Sequence, residues 1–273
     1  KEANINFIRT SHYPPRPDFV ALCDRYGIYV ENETSVAFIG QSILYTQNDP
    51  SLTPAFIGPL ADIMERDLSS PSVIIWSLAN ECYWGDNFRL MHRYARAVDP
   101  TRLTIFSYPI TQQEDDDLTD IWSMHYAAWE QDPHALVDSF DRSRHWDTEI
   151  PVLHDESTHI PCYCRNDLRR DPAVRDFWGE TIKRFWDRLW AAPGALGCAI
   201  WAGIDDVRLT DRRPMGFGAP WGIIDGWRRR KPEFWHCRKA FSPLRVKEET
   251  LDIRRDGSIR LTIENRFNHT DLS

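Results

Sequence analysis

The chain has 273 residues, of which 42% are hydrophobic, and this length suffices for one large domain with a sizeable core. Its formal net charge of −8 and the scattering of its basic residues argue against a nucleic acid partner. No apolar run reaches the roughly 18 residues that a membrane span requires, so the sequence predicts no transmembrane helix.

The first part of the chain alternates short apolar runs with helical patterns. Asn6–Arg9 is a short apolar run, and the prolines that follow it predict an extended loop. Apolar residues at helical spacing predict a helix over Asp18–Tyr26 that ends at Gly27. Ile28–Val30 is predicted to be the next strand, with two acids after it, and a helix is predicted over roughly Ala55–Leu68.

The stretch Ser72–Glu81, which reads SVIIWSLANE, is the centre of the predicted fold. Its apolar, β-branched run is typical of a strand that is buried on both faces. The run ends in Asn80 and Glu81, and α/β barrels place their chemistry at the carboxyl ends of such strands. Glu81 is therefore a candidate catalytic residue. The alternative is a surface glutamate that caps the next helix.

The same alternation continues as far as residue 201. The predicted strands are Leu103–Phe106, Ile121–Met124, Pro151–Leu153 and Cys198–Trp201, and the predicted helices are Asn87–Val98, His134–Phe140 and Asp176–Trp190. Strands that alternate with helices indicate parallel pairing through right-handed crossovers. An open doubly wound sheet is one solution, but the sequence lacks the glycine-rich phosphate loop of the nucleotide-binding versions.

A closed (β/α)8 TIM barrel of the α/β class fits the pattern better, and it needs eight strands. The sequence supplies seven strands before residue 202, so we expect residues 1–243 to form a catalytic barrel that lacks its first strand. After Pro243, apolar and polar residues alternate around the turn Asp256-Gly257, which predicts a hairpin. Residues 244–273 are therefore expected to begin an all-β, immunoglobulin-like sandwich domain.

A second acid follows a second predicted strand, because Glu156 comes after Pro151–Leu153 as Glu81 comes after its own strand. If both strands belong to one barrel, both side chains reach its carboxyl-end mouth. Two facing carboxylates are the minimum for glycoside hydrolysis, in which one protonates the leaving oxygen and the other attacks the anomeric carbon. A zinc-protease reading of His154–His159 fails, because the two histidines are five apart and Asp155 follows the first.

Several stretches together resemble glycoside hydrolase family 2, the β-galactosidase and β-glucuronidase family. The resemblance covers nearly the whole chain in the family's order. It implies a retaining mechanism with a glycosyl-enzyme intermediate. The stretches are Asn6–Pro14, Leu22–Glu33, Ser70–Glu81, Pro151–Glu156, Gly197–Trp201 and Ile223–Pro243.

The resemblance also implies roles for individual residues. Glu81 matches the acid/base, Glu156 the nucleophile, and Asn80 the residue that binds the sugar 2-hydroxyl. Arg9 matches an arginine near the nucleophile, where a cation would keep the carboxylate ionised. The remaining matches are the site-lining donors His12 and Tyr126, a site histidine at His159 and an aromatic residue beneath the sugar at Trp201.

Alternatives remain open at several of these positions. Simple barrel packing is the alternative for Arg9 and Trp201, and an ordinary loop histidine is the alternative for His159. The alignment at Tyr126 is uncertain by one position, so His125 competes with it for the substrate-binding role.

The sequence departs from the magnesium-dependent members of the family. The stretch Ser35–Ile39 offers no glutamate or histidine as a ligand, so we predict no magnesium beside Glu81 and no other cofactor. The expected function is that of a retaining exo-β-glycosidase of β-galactosidase type. The alternatives are a β-glucuronidase or another acidic-sugar glycosidase of the same fold, and an inactive or carbohydrate-binding fragment. The expected partner is a carbohydrate, and an oligomer of the full-length protein remains open.

Overall fold

The computed structural model describes residues 1–41, 45–110, 119–126, 150–159, 170–210, 213–217, 220–248 and 250–272. Within these described ranges, seven parallel strands follow one another along the first 200 residues. They are β1 (Phe7–Arg9), β2 (Tyr29–Glu33), β3 (Val73–Asn80), β4 (Leu103–Ser107), β5 (Trp122–His125), β6 (Val152–Ser157) and β7 (Ala195–Ile200). The seven strands that the sequence predicts are thus present, each with its bounds moved by a few residues.

The strands form two parallel sheets that curve into one barrel wall. One sheet has the order β1-β2-β3-β4 and the other has the order β5-β6-β7. A parallel bridge between Ile105 and Ile121 joins β4 to β5. The two outer strands, β1 and β7, also approach each other. Strand order therefore follows chain order all the way round, as in a (β/α) barrel.

Helices connect the strands on the outside of this wall. They are α1 (Pro17–Tyr26), α2 (Thr53–Asp67), α3 (Asp86–Val98), α4 (Ala173–Ala191) and, beyond the last parallel strand, α5 (Pro232–Ala240). Helix α1 begins with proline in its first turn and ends at Gly27, whose φ of 59° gives the left-handed cap predicted from the sequence. The predicted helix His134–Phe140 lies outside the described residues, and α5 was not predicted.

The barrel interior changes from apolar to charged along the strands. Near the amino ends, Ile75, Ile105, Ile121 and Leu153 form a buried apolar layer. Nearer the carboxyl ends, polar and charged side chains replace it, and they are nearly all buried. Buried charges persist only where they are paired or hydrogen-bonded, so this end of the barrel must supply partners for its own carboxylates.

The prediction for the second strand was wrong in its bounds. Strand β2 runs from Tyr29 to Glu33, so Glu31 and Glu33 lie within the strand and are both 0% exposed. An isolated sequence pattern assigns such acids to a loop, because burying an unpaired carboxylate is costly. Here Arg9 on the neighbouring strand lies 3.5 Å from Glu31 and 2.7 Å from Glu33. Ion pairing with Arg9 on the neighbouring strand therefore allows the carboxylates of Glu31 and Glu33 to be buried inside the barrel.

The last part of the chain is antiparallel. Strands β8 (Val207–Thr210) and β9 (Arg213–Phe217) pair with each other, as do β10 (Leu244–Val246) and β11 (Ile263–Asn265). An antiparallel bridge between Ile253 and Ile259 corresponds to the hairpin predicted around Asp256-Gly257. Among the described residues, every helix is too short or too polar to cross a lipid bilayer.

Candidate active site

Four neighbouring strands end with a residue in the left-handed region of backbone space. Glu81, Tyr108, Tyr126 and Thr158 directly follow β3, β4, β5 and β6, and their φ angles are 46°, 48°, 52° and 54°. Non-glycine residues adopt this conformation rarely, and they do so where the surrounding structure imposes it, often at functional sites. The repeated turn changes the direction of the chain at the mouth of the barrel, where two of these residues, Glu81 and Tyr126, bring side chains into the site.

The two predicted carboxylates converge at this mouth. One carboxylate oxygen of Glu81 and one of Glu156 lie within 4.8 Å of each other. Their environments differ, because the side chain of Glu81 is 22% exposed and that of Glu156 is 3% exposed. Glu81 does not cap the following helix, whose N-cap is Gly85. The alternative of a helix-capping surface glutamate is therefore wrong.

Arg9 is the central cation of the site. Its guanidinium donates hydrogen bonds of 2.6 Å to Glu156 Oε1, 2.7 Å to Glu33 Oε2 and 2.7 Å to the side-chain oxygen of Asn80. The side chain is buried, so these charge-assisted bonds are weakly screened. Arg9 thus fixes Glu156 as an ion-paired carboxylate and orients the Asn80 amide beside it.

His12 and Trp201 form one wall beside Glu156. Their rings stack at 5.0 Å with an interplanar angle of 20°. His12 Nδ1 lies 3.0 Å from Glu33 Oε1, and His12 Nε2 lies 3.8 Å from Glu156 Oε1. Trp221, which the sequence did not single out, lies 6.0 Å from the Trp201 ring. An aromatic face beside two carboxylates suits the apolar face of a sugar ring.

His125 and Tyr126, which compete for one substrate-binding role in the sequence, both reach the site. The Tyr126 hydroxyl donates a hydrogen bond to Glu156 Oε2, whereas His125 Nδ1 lies 2.9 Å from Glu81 Oε1. His159 stacks on the Tyr126 ring at 5.1 Å and is 7% exposed. All nine residues singled out from the sequence therefore lie in one continuous cluster.

The environments of the titratable groups shift their pKa values in different directions. Burial alone would raise the pKa of Glu81, but the hydrogen bond and charge of His125, with a hydrogen bond from Gln41, bring it below its ordinary value. Burial opposes protonation of His125, yet the negative charges of Glu156 and Asp155 raise the pKa of His125 to about 10. Burial lowers the pKa of His159 to about 4.

Glu81, His125 and Glu156 each bring one potential ligand atom within 4.8 Å of the other two. Each oxygen of Glu156 already accepts a hydrogen bond, one from Arg9 and one from Tyr126, so a metal ion shared by the three would compete with these donors. The donor set therefore fits an ion-paired carboxylate pair better than a metal centre. That no magnesium binds beside Glu81 remains a prediction.

Three further buried acids at the site were not identified from the sequence. Glu33 is bonded to Arg9, and Asp155 Oδ1 accepts a 2.5 Å hydrogen bond from Ser123. Glu31 lies 3.5 Å from Arg9, and burial with the charge of Asp155 raises its pKa well above the ordinary value. Strict alternation along a strand would put the side chains of Asp155 and Glu156 on opposite faces of the sheet. The register between β6 and β7 shifts between His154 and Ser157, and this irregularity interrupts the alternation.

Comparisons with known proteins agree with this geometry. The family model described as "Glycosyl hydrolases family 2, TIM barrel domain" matches residues 1–160. The chain belongs to glycosyl hydrolase family 2. One relative, the beta-galactosidase of Leuconostoc mesenteroides, is 30% identical over 217 residues, which cover 77% of this chain and 19% of that protein. The beta-galactosidase of Lactobacillus delbrueckii subsp. bulgaricus is 27% identical over 280 residues, covering 99% of this chain and 26% of that protein.

A solved structure extends the family 2 comparison to the fold. The β-D-glucuronidase of Dictyoglomus thermophilum superposes with a TM-score of 0.67 at 23% identity, and the match covers 89% of this chain and 46% of that one. At this identity the likeness concerns the fold alone. The chain spans about a fifth to a quarter of the length of these two beta-galactosidases.

Proposed function

We propose that the chain is the catalytic part of a retaining exo-β-glycosidase that acts on β-galactosides. The observation that carries this proposal is the approach of the Glu81 and Glu156 carboxylates to within 4.8 Å. Retaining glycosidases separate their two carboxyl groups by about 5–5.5 Å, whereas inverting enzymes leave about 6.5–9.5 Å for a water molecule. The beta-galactosidase relatives support the choice of sugar.

In this mechanism Glu156 is the nucleophile. Its carboxylate attacks the anomeric carbon while the bond to the leaving oxygen breaks, and Glu81 supplies a proton to that oxygen. Water then attacks the glycosyl ester with Glu81 as the base, which releases Glu156 as a carboxylate. Arg9 and Tyr126 support the nucleophile role, since both donate hydrogen bonds to Glu156 and so hold its carboxylate in place.

The other site residues would hold the sugar. Asn80, oriented by Arg9, is placed to bind the hydroxyl beside the anomeric carbon. The stacked pair His12 and Trp201 would pack against the ring, and His159, which lies edge-on to Trp201, would extend this wall. A carbohydrate is therefore the proposed partner.

We also propose that residues 1–243 form the catalytic barrel and that residues 244–273 begin an all-β sandwich domain. The barrel is proposed to take one further strand between β7 and β1, which approach each other without a hydrogen-bonded ladder between them. A cavity of about 790 Å³ beside these strands supports this placement, and Phe7, Ile121 and Leu153 contribute to its lining. An eighth strand would cover this apolar surface and pair both open edges.

The test compares aryl β-galactosides with aryl β-glucuronides in the full-length protein and in the variants Glu81→Gln and Glu156→Gln. We expect hydrolysis of the galactoside, and a loss of several kcal/mol of transition-state stabilisation in each variant, on the scale of positioned catalytic groups. Turnover that survives Glu156→Gln unchanged would contradict the assignment. Preference for the glucuronide would favour the acidic-sugar alternative, and galactose binding without hydrolysis would favour a carbohydrate-binding role.

A further inference from the structure

His125 lies between the two carboxylates of the site. Its Nδ1 is 2.9 Å from Glu81 Oε1 and 3.8 Å from Glu156 Oε2. The side chain is only 1% exposed, although Glu81 itself is partly open to solvent. None of the roles assigned so far explains why a buried imidazole is hydrogen-bonded to the carboxylate that must transfer a proton.

The other ring nitrogen of His125 is also held. Nε2 lies 3.0 Å from Ser107 Oγ and 3.5 Å from Asp155 Oδ1. Asp155 is fully buried and accepts a hydrogen bond from Ser123, which fixes its carboxylate behind the imidazole. The ring of Tyr108 stacks on the imidazole at 4.9 Å and keeps its plane in place. Carboxylate, imidazole and carboxylate thus form a line from the barrel interior to the mouth.

The charges around His125 favour its protonated form. Glu156 and Asp155 raise the pKa of His125 to about 10, and the same imidazolium lowers the pKa of Glu81. A general acid, however, must carry a proton when the glycosidic bond breaks. In the resting site the proton therefore resides on His125 rather than on Glu81. Several titratable groups surround His125. They are Glu81 from the end of β3, Tyr108 from the end of β4, Tyr126 from the end of β5, and His154, Asp155 and Glu156 from β6, with Arg9 from β1 and Glu31 from β2 behind them.

We propose that His125 is a positioning residue that acts through Glu81: it stores the proton of the acid/base and exchanges it with Glu81, while Asp155 orients the imidazole from behind. This role rests on the proposed glycosidase function. It resembles the logic of a catalytic triad, in which a buried carboxylate orients an imidazole that gains and loses a proton at its other nitrogen.

The proton balance closes over the cycle. In the first step Nδ1 of His125 gives its proton to Glu81, and Glu81 gives it to the leaving oxygen as the exocyclic bond breaks. Glu156 loses its negative charge by forming the ester, and His125 loses its positive charge, so the net charge of the site is unchanged. In the second step Glu81 takes a proton from the attacking water and returns it to His125, while Glu156 regains its charge.

The test is His125→Gln in the full-length protein, with aryl β-galactosides whose leaving groups differ in their need for a proton. Dinitrophenolate departs without protonation, whereas unsubstituted phenol requires it. We expect kcat/KM for the phenyl substrate to fall about 100-fold, within the usual range for general acid catalysis, and kcat/KM for the dinitrophenyl substrate to fall less than about threefold. The basic limb of the pH profile should move to lower pH, because Glu81 alone then holds the proton.

His92→Gln is the matched control, since His92 lies outside the site beside Thr104 and should leave both activities unchanged. If His125→Gln does not fold, Asp155→Asn keeps the imidazole and removes the carboxylate behind it, and the same shift of the basic limb is expected. Equal losses on both substrates with an unmoved basic limb would overturn the relay and leave a structural role. Wild-type protein that hydrolyses neither substrate would overturn the proposed function itself.

Discussion

Replacing Arg9 with methionine tests whether one cation holds the carboxylates of the site together. The guanidinium is buried and gives hydrogen bonds of 2.6 Å to Glu156 and 2.7 Å to Glu33. Removing one partner of a buried ion pair costs about 3–5 kcal/mol, and here two carboxylates lose the same partner. We expect the free energy of unfolding to fall by at least about 3 kcal/mol, which corresponds to a drop in Tm on the order of 10 °C.

Activity should fall with stability in Arg9→Met. Without the guanidinium, Glu156 loses a 2.6 Å hydrogen bond and Asn80 loses one of 2.7 Å, so both side chains are less firmly positioned. Misplacement of a reacting group by about 1 Å can cost about 100-fold in rate, so we expect kcat/KM for an aryl β-galactoside to fall by about that factor or more. The matched control is Arg16→Met, because Arg16 is 85% exposed and pairs only with the surface residue Asp18 among the described contacts.

The assay combines thermal unfolding by circular dichroism with hydrolysis of the aryl substrate, both in the full-length protein. Arg16→Met is expected to match the wild type in both measurements, since exposed ion pairs contribute little. An Arg9→Met protein with the Tm and the kcat/KM of Arg16→Met would refute the reasoning, because the buried carboxylates would then need no shared cation.

Two further predictions concern residues around the barrel. Burial lowers the pKa of His154 from 6.5 to about 4, so between these pH values the imidazole is neutral in the folded state and protonated in the unfolded state. The free energy of unfolding of the wild type should therefore fall by about 3 kcal/mol as the pH drops from 6.5 to 4. In a measurement of Tm against pH, His154→Leu should show a smaller decline over this range. A Cβ added at Gly222 would lie 2.2 Å from the backbone carbonyl carbon of Ile204, so Gly222→Ala should lower Tm and raise KM. The control is Gly58→Ala, which should change neither value, because a Cβ at Gly58 meets nothing within 4 Å. Equal Tm values in the two alanine variants would contradict this prediction.

Local sequence patterns were sufficient to predict the strands. They were not sufficient to predict that the strands bury charged side chains inside the barrel near their carboxyl ends. The run from Val73 to Asn80 is apolar enough to identify β3 from the sequence, and Glu81 follows from its position at the end of that strand. The sequence predicts Glu31 just after the strand Ile28–Val30, because nothing local indicates that Arg9 faces it from the neighbouring strand. The pairing depends on the register between β1 and β2, in which Arg9 lies opposite Glu31, and only the folded chain reveals it.

The contact between His125 and Glu81 illustrates the same limit. The two residues are 44 positions apart, and the sequence offered His125 only as a rival of Tyr126 for one role. Helix α5 was missed for a different reason, since Phe234, Cys237 and Ala240 carry a helical spacing that was present but not used. The contact between His125 and Glu81 could be found only from the three-dimensional structure, whereas helix α5 could have been predicted from the spacing of its apolar residues.

The most direct test of the central claim is covalent labelling of the full-length protein with a mechanism-based fluorosugar that traps the glycosyl-enzyme intermediate, followed by mass spectrometry of the peptides. Because Glu156 lies within 4.8 Å of Glu81 and is held by Arg9, we predict a single sugar adduct on Glu156. Labelling of Glu81 instead, or turnover of substrate with no adduct on either residue, would contradict the account.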